Sequence, residues 1–134
     1  HACDTATDYA LHNAVCRGAR MILSVPCCQH ELNGQIATDK LKLITRYGII
    51  KERFAALMTD AIRANLLESR GYKAQVLEFV DLSHTPKNLL IRAIKKRPAL
   101  DNAGRIALDE AKALMEEFSL EPTLYSLLYP HSAD

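Results

Sequence analysis

The chain has 134 residues, with 49% apolar and 25% charged side chains, which is the size and composition of one globular domain with a buried core. Seventeen basic and sixteen acidic residues leave a net charge of +1, so bulk charge does not mark a nucleic-acid-binding protein. The apolar runs are far shorter than the ~20 residues of a membrane-spanning helix, so we expect no membrane association. The four cysteines do not form the framework of a small secreted domain, and we therefore expect a reducing, cytoplasmic location.

The first predicted element is a helix over residues 4–16. Asp4 or Thr5 is suited to cap its start, because a side-chain oxygen there can accept a hydrogen bond from the first turn. Apolar residues follow at helical spacing, namely Ala10, Leu11, Ala14 and Val15. Gly18 is predicted to end the helix, and residues 19–25 are predicted to form a short buried strand.

A long amphipathic helix is predicted over residues 49–70, which is the longest periodic segment of the chain. One apolar stripe, which we expect to face the core, comprises Ile50, Phe54, Leu57, Met58, Ala61, Ile62 and Leu66. The charged residues expected on the other faces are Lys51, Glu52, Asp60 and Glu68. Gly71, directly after the basic Arg70, is the expected stop.

Two strands are predicted over residues 72–80 and 89–94, separated by a turn-rich loop that includes His84. Because this loop is short, we expect the two strands to be antiparallel neighbours or near-neighbours. Two further helical segments are predicted over residues 105–118 and 123–129.

Two short segments concentrate side chains that can carry chemistry. Residues 1–8 have the sequence HACDTATD, and residues 25–32, with the sequence VPCCQHEL, follow the first predicted strand. In an open α/β sheet, polar side chains converge where strands end and the chain turns. We therefore expect these two segments, about one βαβ step apart, to form neighbouring sides of one cleft. The aspartates of the first segment have an alternative role, because carboxylates also stabilise the first turn of a helix.

The pattern His-x-Cys-x-x-Ala-Thr-Asp, followed by Pro-Cys-Cys-x-His, resembles a Rossmann-type family of S-adenosylmethionine-dependent methyltransferases. The similarity extends through residues 78–88 (EFVDLSHTPKN). It implies an α/β fold, namely the C-terminal half of a Rossmann-like methyltransferase sheet with an antiparallel last strand and helices packed on it. Residues 1–97 would form the C-terminal part of the methyltransferase domain, and residues 98–134 would form a helical extension packed on the same domain.

The resemblance also implies which residues form the site. His1, Cys3 and Asp4 would be catalytic, and Asp4 would accept a proton if its surroundings raise its pKa. The residues expected near substrate or cofactor are Pro26, Cys27, Cys28, His30, Glu31 and His84. The adjacent cysteines are also suited to be small buried residues, and His84 to lie in a surface turn. The thiols and imidazoles could bind zinc, but the Cys-x-x-Cys spacing typical of structural zinc sites is absent, so we predict no metal site.

The implied cofactor is S-adenosylmethionine, although the chain contains no Gly-x-Gly of the acidic, glycine-rich turn with which such enzymes hold it. We therefore expect the chain to be the C-terminal portion of a larger enzyme and inactive alone. The expected methyl acceptor is RNA or a small molecule, since a related pattern, with Gly in place of Asp4, occurs in enzymes that methylate a ribose 2′-hydroxyl of tRNA. The alternative is a non-catalytic α/β module for protein interaction or self-association. Because an incomplete sheet exposes an apolar edge, we expect a homodimer.

Overall fold

The computed structural model describes residues 4–78 and 89–131. The elements in these residues are, in chain order, α1 (Thr5–Cys16), β1 (Met21–Ser24), α2 (His30–Gln35), α3 (Lys42–Arg46), α4 (Gly48–Ser69), β2 (Tyr72–Glu78), β3 (Leu89–Lys95), α5 (Asn102–Phe118) and α6 (Thr123–Leu128). The mixed α/β architecture, with helices packed against a sheet, confirms the predicted fold class. None of these helices is long and apolar enough to cross a membrane.

The three described strands form one sheet in the order β1-β3-β2, and β3 is antiparallel to both neighbours. β1 and β2 therefore run in the same direction, and the chain between them crosses over through α2, α3 and α4. Ala93 of β3 pairs with Ile22 on one side and with Ala74 on the other, which defines the register. The antiparallel pairing of β2 and β3 confirms the prediction that followed from their short connection.

Helices in the described residues cover one face of this sheet. Ile22 and Ile91 are buried on that face, where β2 and β3 pack against α4 and β1 contacts α1. On the opposite face, Met21 and Leu23 are 53% and 60% exposed. The prediction of a buried first strand is therefore wrong for β1, in which only Ile22 is buried. Successive side chains of a strand point to opposite faces, so a sheet covered on one side buries only alternate residues.

The buried side of α4 differs from the predicted apolar stripe. Met58, Ile62 and Leu66 are buried as predicted, whereas Ile50, Leu57 and Ala61 are exposed. Asp60, which was predicted to lie on a charged face, is buried as well. The reason is that α4 packs against the sheet, α2 and α5 at once, so its central and C-terminal turns bury residues on more than one side.

The helices α5 and α6 complete the core. The carboxylate of Asp101 caps α5 and accepts a hydrogen bond from the Gly104 backbone N–H at 2.8 Å. Met115 and Phe118 of α5 and Leu124 of α6 belong to the same buried cluster as the covered face of the sheet. α2 and α3 were not predicted, because segments of six and five residues are too short to show a helical period.

The helix ends at Gly18 and Gly71 are as predicted. Both glycines have positive φ angles, of 66° and 89°, which a residue without a side chain adopts at little cost. At Gly71 a Cβ atom would lie 2.1 Å from the carbonyl oxygen of Arg97, so no other residue fits between α4 and β2.

Candidate functional site

A cleft of about 500 Å³ lies where the carboxyl ends of β1 and β2 meet the first turns of α4. Its polar lining residues are Gln29, His30, Glu52, Arg53, Asp60 and Glu78, and its apolar lining residues are Pro26, Ile49, Ala56, Leu57 and Leu89. Open α/β sheets bind their ligands outside the carboxyl ends of parallel strands, and pockets of this volume hold small molecules. This cleft is therefore the candidate site.

The segment after β1 forms one wall of the cleft. Pro26 is buried and has no backbone N–H to donate to a neighbouring strand. Gln29 is also buried, with 5% of its surface exposed, and the exposed His30 begins α2. Cys27 and Cys28 are half-buried between them and do not line the cleft. The wall is thus formed by the buried proline and glutamine and by the imidazole that follows them.

The start of α1 contacts the same segment. Oδ1 of Asp4 accepts a hydrogen bond from the backbone N–H of Glu31 at 3.2 Å. Asp4 occupies the N-cap position with a φ of 52°, but its carboxylate accepts no hydrogen bond from the first turn of α1. The predicted capping role of Asp4 is therefore wrong, because its carboxylate bonds to the first turn of α2 instead. This bond brings the two sequence motifs into contact.

Arg63 of α4 is the centre of a buried ionic network behind the cleft. Its side chain is 2% exposed, with Nε 2.7 Å from Oδ1 of Asp8 and Nη1 3.2 Å from Oδ1 of Asp60. Nη2 donates a hydrogen bond to the backbone carbonyl of Asp4 at 3.0 Å. A buried charge is tolerated only when it is paired and hydrogen-bonded, and this guanidinium satisfies that condition on each nitrogen. The network attaches the start of α1 to the middle of α4.

Gln29 connects this network to the cleft. Its Nε2 donates hydrogen bonds to Oδ2 of Asp60 at 3.1 Å and to the carbonyl of Pro26 at 3.4 Å. Because both partners are acceptors, the amide nitrogen must be the atom that faces them. Oε1 of Gln29 is then buried without a hydrogen-bond partner among the described residues, at a cost of about 1–3 kcal/mol.

Two carboxylates share one guanidinium in the network. Burial raises the pKa of Asp60 above its ordinary value, and the charge and hydrogen bond of Arg63 offset only part of this effect. Burial raises the pKa of Asp8 in the same way, again against the hydrogen bond and charge of Arg63. Each carboxyl group is therefore protonated more readily in the folded chain than in the unfolded chain.

The carboxylate of Glu31 binds the start of α6. It accepts hydrogen bonds from the backbone N–H of Thr123, at 3.1 and 3.2 Å, and from the hydroxyl of the same residue. Its own backbone N–H is bonded to Asp4. Glu31 thus joins the first motif to the C-terminal helix, and it does not line the cleft.

The structure places the predicted site residues in distinct environments. Pro26 and His30 line the cleft, and Asp4 bonds to Glu31 in the adjoining turn. Two further predicted residues, Cys27 and Cys28, are half-buried. The predictions for His1, Cys3 and His84 fall outside the described residues. Within residues 4–78 and 89–131, no group of three or more His, Cys, Asp or Glu side chains is arranged to hold a metal ion.

Asp60 and Arg63 were not predicted as site residues, and Gln29 was included only as part of the segment that follows β1. One signal was available, because Asp60 and Arg63 are three residues apart among apolar residues of one helix, which brings them to the same side. That spacing is equally typical of an exposed ion pair. The burial of the pair depends on Asp8, which is 55 residues from Arg63 in the chain.

Comparison with known proteins bears on the first quarter of the chain. Residues 1–35 match a family model described as a methyltransferase domain. This range contains both sequence motifs, together with α1, β1 and α2. The match supports a methyltransferase, and it specifies neither the methyl donor nor the acceptor. No curated protein and no solved structure matches the chain.

Replacing Arg63 with Met should destabilise the protein strongly, because Asp8 and Asp60 would remain buried without a counter-charge. We expect the free energy of unfolding, measured by urea denaturation at neutral pH, to fall by about 3–5 kcal/mol. The matched control is Arg53→Met, because Arg53 is an exposed residue of the same helix that forms no ion pair with any described residue. This substitution should change the free energy of unfolding by less than about 0.5 kcal/mol. Equal effects of the two substitutions would contradict the role of the network.

The raised pKa of Asp60 predicts a pH dependence of stability. Its carboxyl group titrates near 3.8 in the unfolded chain and at a higher pH in the folded chain, so the folded state binds more protons between these values. The contribution of Asp60 to stability is therefore complete below the unfolded pKa and is lost as the pH rises through the folded pKa. The free energy of unfolding of the wild type, relative to that of Asp60→Asn, should decrease between about pH 4 and neutrality.

The matched control for this titration is Asp39→Asn, which removes an exposed carboxylate whose ionic partner among the described residues is the exposed Lys42. The prediction would be contradicted if the free energy of unfolding of the wild type, relative to that of Asp60→Asn, increased with pH. Such a result would mean that the attraction of Arg63 outweighs the effect of burial.

Proposed function

We propose that this protein is an S-adenosylmethionine-dependent methyltransferase in which the two sequence motifs form the acceptor side of the site. The observation that carries the proposal is the match of residues 1–35 to a methyltransferase-domain model, because this range contains both motifs. The hydrogen bond between Asp4 and the backbone of Glu31 supports the proposal, since it joins the motifs at one place. We also propose that the protein is located in the cytoplasm.

The described residues do not by themselves fit the cofactor. A cofactor-binding turn places glycines directly after the carboxyl end of a strand. Gly18 and Gly71 instead precede β1 and β2, where they end helices. Gly34, Gly48 and Gly104 belong to α2, α4 and α5. We therefore assign no contact with S-adenosylmethionine to these residues, and we expect the 134-residue chain to be inactive alone.

In the proposed enzyme, Asp4 accepts the proton that the methyl acceptor loses. Its backbone carbonyl is bonded to Arg63 and its Oδ1 to the N–H of Glu31, so two separate parts of the fold position it. Alignment of the reacting groups and removal of one proton are the contributions that a protein makes to such a transfer. By the same resemblance, we propose that His1 and Cys3 are also catalytic. The acceptor is RNA or a small molecule.

Asp4→Asn should lower kcat for methyl transfer by about 100-fold or more, because Asn keeps the hydrogen bond from Glu31 but cannot take up the proton. The measurement is transfer of a labelled methyl group from S-adenosylmethionine, in a form of the protein extended to include a glycine-rich cofactor turn. The control is Asp109→Asn, an exposed position on α5. Near-normal turnover of Asp4→Asn would contradict the role of Asp4, and no methyl transfer by the extended wild type would contradict the proposed function.

Self-association is a second candidate function, favoured by the surface of β1. This strand lies at one edge of the described sheet. Met21, Leu23 and Val25, in and directly after β1, are each more than half exposed. Edge strands with exposed apolar side chains pair readily with another strand. We propose that two copies of the chain associate through this edge to form a homodimer.

Leu23→Lys should weaken the homodimer at least tenfold, because it places a charge on the proposed contact surface. Light scattering over a range of concentrations should give the mass of two chains for the wild type and of one chain for the variant. Ile106→Lys is the matched control, since Ile106 is an apolar residue on α5 that is also more than half exposed, and it should leave the dimer unchanged. A wild type that remains monomeric at high concentration would contradict self-association.

A further inference from the structure

A residue in the wall of the cleft has a buried polar atom for which the proposed function gives no role. Gln29 lies in the cleft wall with 95% of its surface buried, and its Oε1 has no hydrogen-bond partner in the part of the chain that the structure describes. Its Nε2 is bonded to the carboxylate of Asp60 and to the carbonyl of Pro26. Reversing the amide would bring its oxygen against these two acceptors, so the unpaired atom is the oxygen.

An unpaired amide oxygen selects the kind of group that can bind it. A buried acceptor is satisfied only by a donor, and a ligand with a second acceptor at that place is repelled. A bound compound with an N–H group would therefore gain a hydrogen bond that the protein leaves unmade. Because Oε1 is sealed from solvent, this contact requires the side chain of Gln29 to shift toward the cleft.

The rest of the lining restricts the charge and size of the ligand. Among the described lining residues, the carboxylates of Glu52 and Glu78 face the cleft beside one exposed guanidinium, that of Arg53. These described residues carry no surplus of positive charge with which to attract a phosphate or carboxylate. The exposed side chains of Ile49 and Leu57 provide apolar contact for the body of a ligand, and a volume of about 500 Å³ suits a small molecule.

We propose that this cleft binds a compact, uncharged compound whose amino group donates a hydrogen bond to Oε1 of Gln29. The contact site lies against the segment that follows β1, next to the bond between the two motifs. The identification of this compound as the methyl acceptor rests on the proposed function, whereas its binding does not.

Calorimetry on the full 134-residue chain with matched nucleosides tests the proposal. Adenosine and inosine have the same purine ring system and the same sugar, but the amino group of adenosine is replaced by a carbonyl oxygen in inosine. Cytidine and uridine form a second pair that differs in the same way. We expect the amino member of at least one pair to bind at least tenfold more tightly than its carbonyl partner. The side-chain amide signal of Gln29 in ¹⁵N spectra should shift with that amino member. Equal affinities in both pairs, or no binding of adenosine or cytidine at millimolar concentration, would overturn the proposal.

A variant separates the contribution of Gln29 from the general shape of the cleft. Gln29→Met removes the amide oxygen at similar volume, and it should reduce the amino preference to less than about threefold. Gln75→Met, at an exposed position of β2, is the control and should keep the full preference. Retention of the preference by Gln29→Met would overturn the proposal. An oligoadenylate that binds at least tenfold more tightly than adenosine would overturn the claim that the ligand is uncharged.

The results also distinguish this inference from the proposed function. A tenfold amino preference in the 134-residue chain, without methyl transfer in the extended protein, would refute the proposed function and leave the binding site standing. Methyl transfer in the extended protein, without any amino preference, would refute the binding site and leave the proposed function standing.

Discussion

The buried guanidinium of Arg63 is the interaction on which the geometry of the site depends. Removing a cation from water costs several kcal/mol, and the cost is offset only when each of its nitrogen atoms has a partner. In this protein those partners are the carboxylates of Asp8 and Asp60 and the backbone carbonyl of Asp4. Two of the three belong to the first motif and one to α4. The position of the motif relative to the central helix is therefore set by the need to pair one charge.

The network also reaches the cleft, through Asp60. One carboxylate oxygen of Asp60 binds Arg63 and the other binds the amide nitrogen of Gln29, so the cleft wall is bonded to a charged group in the core. Burial raises the pKa of the Asp60 carboxyl group, and the negative charge of the nearby Asp8 raises it further. Protonation of Asp60 would weaken both of its bonds. The ionisation of the core and the position of the cleft wall are thus linked.

Most of the fold could be predicted from local features of the chain. The long helix α4 has a clear period, and Gly18 and Gly71 stand where the backbone needs a positive φ. The short helices α2 and α3 lack such a period. The motifs were recognisable as clusters of reactive residue types, but the buried network was not, since Asp60 was predicted to lie away from the apolar stripe of α4. Whether one turn of α4 is buried depends on the elements packed around it.

The sequence by itself determined the order and type of the main elements, the antiparallel pairing of the last two strands and the location of the two motifs. These properties depend on periodicity, turn residues and the length of connections, all of which are local. Only the tertiary structure decided that the carboxylate of Asp4 bonds to the turn of Glu31 and that Gln29 lies in the cleft wall beside a buried ion pair. These outcomes depend on contacts between residues that are far apart in the chain, such as the ion pair of Arg63 with Asp8. Such contacts cannot be read from local sequence, because the cost of burying a charge depends on all the groups packed around it.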